Sequence, residues 1–92
     1  MDTGTSTQLR LDKWLFFARI LKSREKAAQL IKDGAVRVNS VRFETPSKLI
    51  KTGDVLTIAL ERQIMVIKIM QLGTRRGPAS EAITLYEKLD TI

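Results

Sequence analysis

The spacing of apolar residues changes at Gly34, and this change limits the chain to a mixed helix-and-strand fold. Before Gly34, Leu11, Trp14, Leu15, Ala18 and Leu21 recur at the 3.6-residue spacing of one helix face. Ala27, Leu30 and Ile31 repeat the pattern in a second segment. After Gly34 the period falls to two, with Val36 and Val38 alternating with Arg37 and Asn39. A helix predicted over residues 9–21 is therefore followed by a second one that starts at Ser23. Ser23 is a good N-cap, and Glu25 suits the positive end of the helix dipole. Lys26 stands where a full capping box needs Glu or Gln, so the box is incomplete. Gly34 supplies a left-handed stop.

The remaining elements follow from turn chemistry. Asn39-Ser40 reads as a turn before Val41-Arg-Phe43, and Pro46 and Ser47 mark a loop. Thr52-Gly53-Asp54 is a turn into an apolar strand over residues 55–60, which Glu61-Arg62-Gln63 joins to a second over 64–70. Residues 74–78 form a charged loop. An amphipathic helix predicted over residues 80–89 would bury Ala82, Leu85, Tyr86 and Leu89. The expected order is α-α-β-β-β-β-α. The fold class is α+β: two N-terminal helices packed on a small, twisted, mostly antiparallel sheet, closed by a C-terminal helix. Residues 1–8 read as a disordered tail and residues 9–92 as a single domain, because 92 residues make one core and not two.

Charge narrows the function. The chain has 16 Lys and Arg against 10 Asp and Glu, a net charge of +6. Nine of the bases and three of the acids lie between Arg10 and Arg42, so that third of the chain holds the whole excess. A localised excess suits a polyanion. Cysteine and histidine do not occur, which removes disulfides, the usual zinc sites, thiol nucleophiles and His-based proton transfer. The carboxylates are scattered without a catalytic pair, and no P-loop or metal-ligand spacing is present. No catalytic residue, cofactor or metal is expected. The polar start, Met1 to Gln8, is not followed by an apolar h-region. The longest apolar run, Ile64-Met-Val-Ile67, is far short of the roughly 20 residues of a membrane span. The expectation is a cytoplasmic protein that stays out of membranes.

Arg10-Leu-Asp-Lys-Trp-Leu15, Arg19, Ser23-Arg24, Ala27, Ile31, Gly34, Val36, Val38-Asn39, Ser47 and Gly53-Asp54 form an ordered set. In sequence and spacing this set resembles the RNA-binding domain named after ribosomal small-subunit protein four, the S-four domain. That resemblance covers residues 10–58, the family core. Arg75-Arg-Gly-Pro-Ala-Ser-Glu-Ala82 and Leu85-Tyr86-Glu87, within residues 74–90, are similar to the C-terminal signature of its bacterial heat-shock protein fifteen branch. The resemblance implies non-catalytic binding of structured RNA by the helix pair and the following turn. The branch implies ribosomal RNA of the large subunit as target, tRNA as a further partner, and rescue or recycling of free large subunits that still carry nascent chain on tRNA. Longer members continue into a basic tail where this sequence stops at Ile92; weaker affinity, or a replaced contact, is expected.

The candidate RNA contacts are Arg10, Lys13, Lys22, Ser23, Arg24, Lys26, Arg37 and Asn39. Ser23 and its neighbours expose backbone N–H groups at a helix start, Lys22 and Arg24 flank them, and an arginine can fork two hydrogen bonds to one phosphate. The alternative is a simple cap beside a solvated arginine. Arg10 stands open between an ion pair with Asp12 and a phosphate contact. Asp12 would repel phosphate and is expected to brace Arg10 or Arg37. Arg75 and Arg76 are either a second RNA contact or a solvated loop. Ser40 stands where the family has Gly, which disfavours a tight two-residue turn, although Asn39 can take the positive φ. Trp14 and Phe43 are assigned to the core, and Phe16 to packing under the C-terminal segment rather than to base stacking. A monomer is expected. Rival readings are a general structured-RNA binder or chaperone and a module for acidic proteins. DNA is disfavoured, since no recognition helix carries base-reading residues at suitable spacing.

Overall fold

Both helices end in the same kind of turn, and these two ends direct the chain back on itself. In the computed structural model, which describes residues 7–91, α1 covers Leu11–Phe17 and α2 covers Arg24–Lys32. Past α1, Arg19 takes φ +59°, and the amides of Arg19 and Ile20 return to the carbonyls of Phe16 and Leu15, each at 3.1 Å. Past α2, Gly34 takes φ +79°, and the amides of Gly34 and Ala35 return to Ile31 (2.9 Å) and Leu30 (3.2 Å). Both are Schellman caps. Gly34 is thus the left-handed stop expected from the sequence, and α2 begins as expected, with Ser23 Oγ accepting the Lys26 amide at 3.0 Å.

Helix α1 is shorter than the predicted 9–21, for two reasons. Leu9–Arg10 forms a short strand, β1, paired antiparallel with β4, Leu49–Ile50. At the other end Arg19 leaves the helix although it carries a Cβ, a conformation that costs about 1–2 kcal/mol. Tertiary bonds offset that strain. Arg19 Nε donates to the Gly77 carbonyl at 2.6 Å. Arg76 Nη1 donates to the carbonyls of Phe16 (2.8 Å) and Leu21 (3.0 Å), with its guanidinium 4.4 Å above the Phe16 ring.

The alternation after Gly34 builds β2 (Val36–Val38), β3 (Val41–Phe43), β5 (Val55–Ala59) and β6 (Ile64–Ile69). With β7 (Tyr86–Thr91) these make a five-stranded antiparallel sheet in the order β3-β2-β5-β6-β7. Val36, Val38, Leu56, Ile58, Ile67 and Ile69 point to one face and form the core with Leu11, Trp14, Leu15, Ala27 and Ile31 of the helices. Trp14 is fully buried, as assigned; its indole N–H donates to the Gln71 carbonyl at 2.9 Å, and Tyr86 meets it edge-on at 6.2 Å. Phe43 packs against this core from the sheet edge. The α+β class holds. The described residues contain no helix long and apolar enough to cross a membrane.

The C-terminal segment departs from its prediction. In place of a helix over 80–89, the chain makes one turn, α3 (Ala79–Ala82), a 3₁₀ turn (Ile83–Leu85), and then β7. The cause is tertiary. Without β7, β6 would present a row of unpaired amides and carbonyls at the sheet edge. Ala82 and Leu85 still reach the core, but Tyr86 does so by strand alternation. Leu89 does not: Val66 pairs with Asp90 and Ile67 with Lys88, so Leu89 is the extra residue of a bulge and is 47% exposed. Of the expected tail at residues 1–8, residues 1–6 lie outside the described residues.

The β2–β3 turn is tight despite Ser40. Asn39 and Ser40 both take positive φ, +51° and +73°, the conformation of a type I′ hairpin turn. A buried acid holds it. Asn39 Oδ1 accepts the Val55 amide (2.9 Å), and Asn39 Nδ2 donates to Asp54 Oδ1 (3.0 Å). Asp54 also accepts the Lys51 amide (2.9 Å) and the Lys51 ammonium (3.0 Å). Burial raises the Asp54 pKa, but the hydrogen bonds from Asn39 and Lys51 and the Lys51 charge outweigh it and hold the carboxyl below 3.8.

Two outcomes follow. Gly34→Val should lower stability by about 1–2 kcal/mol through left-handed strain. The Arg42 guanidinium lies where the new Cβ would go, but its free end can swing away. Chemical denaturation measures the loss, and an unchanged midpoint would contradict the cap. Because the folded Asp54 pKa is depressed, its stabilisation is present above about pH 4 and is lost as pH falls through the folded value. The stability difference between wild type and Asp54→Asn should therefore be flat from about pH 7 to pH 5 and shrink below about pH 4.

Candidate nucleic-acid interface

The short linker between the helices brings the start of α2 beside the β1–α1 junction. Asp12, in the first turn of α1, is 3% exposed, and the chain there is pinned by amide bonds from Leu11 to the Lys48 carbonyl and from Asp12 to the Pro46 carbonyl. Its carboxylate takes Arg10 side-on: Nε donates to Oδ1 at 3.1 Å and Nη2 to Oδ2 at 2.8 Å. Arg24, the first residue of α2, reaches the same Oδ2 at 3.6 Å. Asp12 is therefore a brace, as expected, but it joins Arg10 to Arg24 and not to Arg37. Both arginines remain nearly half exposed.

Around this pair the start of α2 is electropositive. Lys22 and Lys26 are exposed and Lys13 half-buried, and none of the three makes a side-chain ion pair or hydrogen bond among the described residues. Ser23 Oγ is used by the Lys26 amide. The first two helical amides, those of Arg24 and Glu25, have no carbonyl within the helix to bond. Free donors, a helix dipole and five cationic side chains thus share one end of the helix pair, an arrangement that attracts oxyanions. No group of acids, cysteines or histidines among the described residues is placed to hold a metal.

The other candidates lie elsewhere. Arg37 alternates with the buried Val36 and Val38, so its side chain leaves the opposite face of the sheet from the helices. It stands directly across from Arg42 on β3 and from Thr57 on β5. Arg42 was not among the predicted contacts; the strand alternation that exposes Arg37 is the signal that pairs it there. A hollow of about 300 Å³ on this face is lined by Gly34, Ala35, Arg37, Ser40, Thr57, Ala59 and Ile64. Asn39 spends its side-chain amide on Val55 and Asp54. Arg75 pairs with Glu81 at 2.9 Å on the surface, and Arg76 is tied to the end of α1. Another hollow, about 630 Å³, is bordered by Gln71, Leu72, Glu81 and Leu85 and lacks cationic lining. This hollow is not where the charge is.

The S4 domain matches residues 9–56. Heat shock protein 15 of Escherichia coli (strain K12) is 36% identical over 88 residues, 96% of this chain but 65% of that protein, so the chain spans about two-thirds of its length. The RQC P-site tRNA stabilizing factor of Listeria monocytogenes (serovar 1/2a) is 32% identical over 85 residues, 90% of this chain and 91% of that one. The solved trimeric structure of Vibrio cholerae heat shock protein 15 superposes with a TM-score of 0.84 at 34% identity, over 89% of this chain and 82% of that one. The fold is thus a known one, and the chain belongs to the S4 domain family of RNA-binding proteins, in its heat shock protein 15 branch.

Proposed function

We propose that the chain is a non-catalytic, cytoplasmic RNA-binding protein that grips ribosomal RNA of the large subunit and acts in rescue or recycling of stalled subunits carrying nascent chain on tRNA. The observation that carries this reading is the cluster of Arg10, Lys13, Lys22, Arg24 and Lys26 around the start of α2. Five cations on one end of a helix pair, with helix-start amides between them, suit phosphate oxygens better than base edges. The grip is on backbone shape. Arg37, with Arg42, would meet RNA only where it wraps the far face of the sheet. Asn39 contributes by shaping the turn, and Arg76 by holding α1.

The ribosomal part of the reading is supported by the relatives, one of which is named for stabilising a P-site tRNA. A general structured-RNA binder and an acidic-protein module are the competing outcomes. A monomer is part of the proposal, although the solved Vibrio cholerae relative is a trimer; sedimentation velocity at the concentration of the binding assay separates one chain's mass from three.

The reading is tested by two measurements. If about five phosphates are neutralised, raising salt from about 50 to 200 mM should weaken RNA binding by roughly 10²- to 10³-fold, and Lys22→Ala with Arg24→Ala should lower the log–log salt slope by about two. A salt-insensitive complex, or a double variant that binds as wild type does, contradicts the mechanism. Co-sedimentation with separated subunits tests the target: enrichment on free large subunits is expected, and equal binding to both subunits favours the general RNA binder.

A further inference from the structure

A buried acid at the centre of a polyanion-binding surface is electrostatically misplaced unless it does something the surrounding cations cannot do alone. Asp12 is such an acid. It lies within reach of Arg10 and Arg24, and its negative charge opposes the approach of a phosphate. At about 6 Å in water that opposition alone is worth about a threefold loss of affinity. Yet the carboxylate is 3% exposed, and both of its oxygens face guanidinium groups.

We infer that Asp12 is a positioning residue for RNA binding, fixing Arg10 and Arg24 as one preformed two-arginine clamp for backbone phosphate. The inference rests on the RNA-binding reading above and adds the role of the acid to it. A guanidinium has five N–H donors in a rigid plane. Asp12 takes two of those of Arg10, on the Nε and Nη2 side. The two N–H groups of Nη1 and the second one of Nη2 remain, and one from each nitrogen forms the end-on fork that grips an oxyanion. Because the acid holds the side-on edge, the free edge faces outward in one orientation. Arg24 belongs to a different element and is drawn to the same Oδ2. The two guanidinium groups would otherwise repel each other, and the shared carboxylate keeps them together. Without it each arginine would have to be ordered when RNA arrives, and immobilising a long side chain at an interface opposes binding.

Two opposed effects thus meet at one atom group, and their signs differ. If Asp12 acted only through its charge, Asp12→Asn would tighten RNA binding about threefold. If it positions the clamp, the same change weakens binding about three- to tenfold, although it raises the net charge by one. The asparagine keeps one acceptor oxygen and replaces the other with an N–H₂ that meets the guanidinium donors head-on.

The experiment uses the whole chain and a fluorescein-labelled RNA hairpin, with affinity read by anisotropy at several salt concentrations and folding checked by thermal melting. Asp12→Asn, folded at the assay temperature, is expected to bind more weakly, with a log–log salt slope lowered by about one as a phosphate contact is lost. Arg10→Lys keeps the charge but loses the fork, so it should weaken binding to a similar extent. The double variant should be no weaker than Asp12→Asn alone, because both changes break the same arrangement. Should Asp12→Asn fail to fold, Arg10→Lys decides. Affinity unchanged or raised in Asp12→Asn, or unchanged in Arg10→Lys, overturns the inference. Failure of the RNA-binding reading looks different: there Lys22→Ala with Arg24→Ala would also leave affinity intact.

Discussion

The structure depends on how the end of α1 is tied to a segment more than fifty residues later. Four hydrogen bonds make the tie: Trp14 Nε1 to the Gln71 carbonyl, Arg19 Nε to the Gly77 carbonyl, and Arg76 Nη1 to the carbonyls of Phe16 and Leu21. The Arg76 contacts join the two sides of the left-handed turn at Arg19, the Phe16 carbonyl before it and the Leu21 carbonyl after it. These bonds stand in for a glycine: Arg19 holds a left-handed conformation that the Gly34 end of α2 reaches without a Cβ. Ending α1 there turns the chain within six residues, so that Ser23 caps a second helix whose first residue, Arg24, comes to Asp12. The interface at the start of α2 is therefore set by contacts on the far side of α1.

This dependence also explains what the sequence made legible and what it did not. The start of α2 could be read because capping is local: Ser23, Lys26 and Gly34 act within a few residues. The core stripe of Leu11, Trp14 and Leu15 could be read because a 3.6-residue period survives any tertiary arrangement. The end of α1 could not. Nothing within five residues of Arg19 says that it will go left-handed; the reason lies at Gly77. The segment at 80–89 failed for a related cause. Its apolar spacing fits a helix, but the open edge of β6 recruits it as a strand, and one bulge then puts Leu89 outside. At the candidate site the residue types were legible and their partners only partly so. Asp12 was expected to brace an arginine, but its joining of two different elements needs the fold. The place of Arg42 opposite Arg37 was not legible because it is a cross-strand position, fixed by the register of a turn that Ser40 disfavours.

The fold also divides the basic excess that first pointed to a polyanion. Of the nine bases between Arg10 and Arg42, Arg19 is consumed by the tie to Gly77. Lys32 sits in the last turn of α2, at the opposite end from Ser23. Arg37 and Arg42 lie across from each other on the far face of the sheet, where adjacent like charges oppose folding unless an anion or an acid such as Glu44 offsets them. What remains is Arg10, Lys13, Lys22, Arg24 and Lys26, all at one end of the helix pair. A count along the chain overstates the footprint, because a strand sends alternate residues to opposite faces and a tertiary tie consumes a cation such as Arg19. The five that are left do not need to be more numerous to be effective. Two are already held by Asp12 in one geometry, and a clamp ordered before RNA arrives gives up less conformational freedom on binding than five independent side chains would.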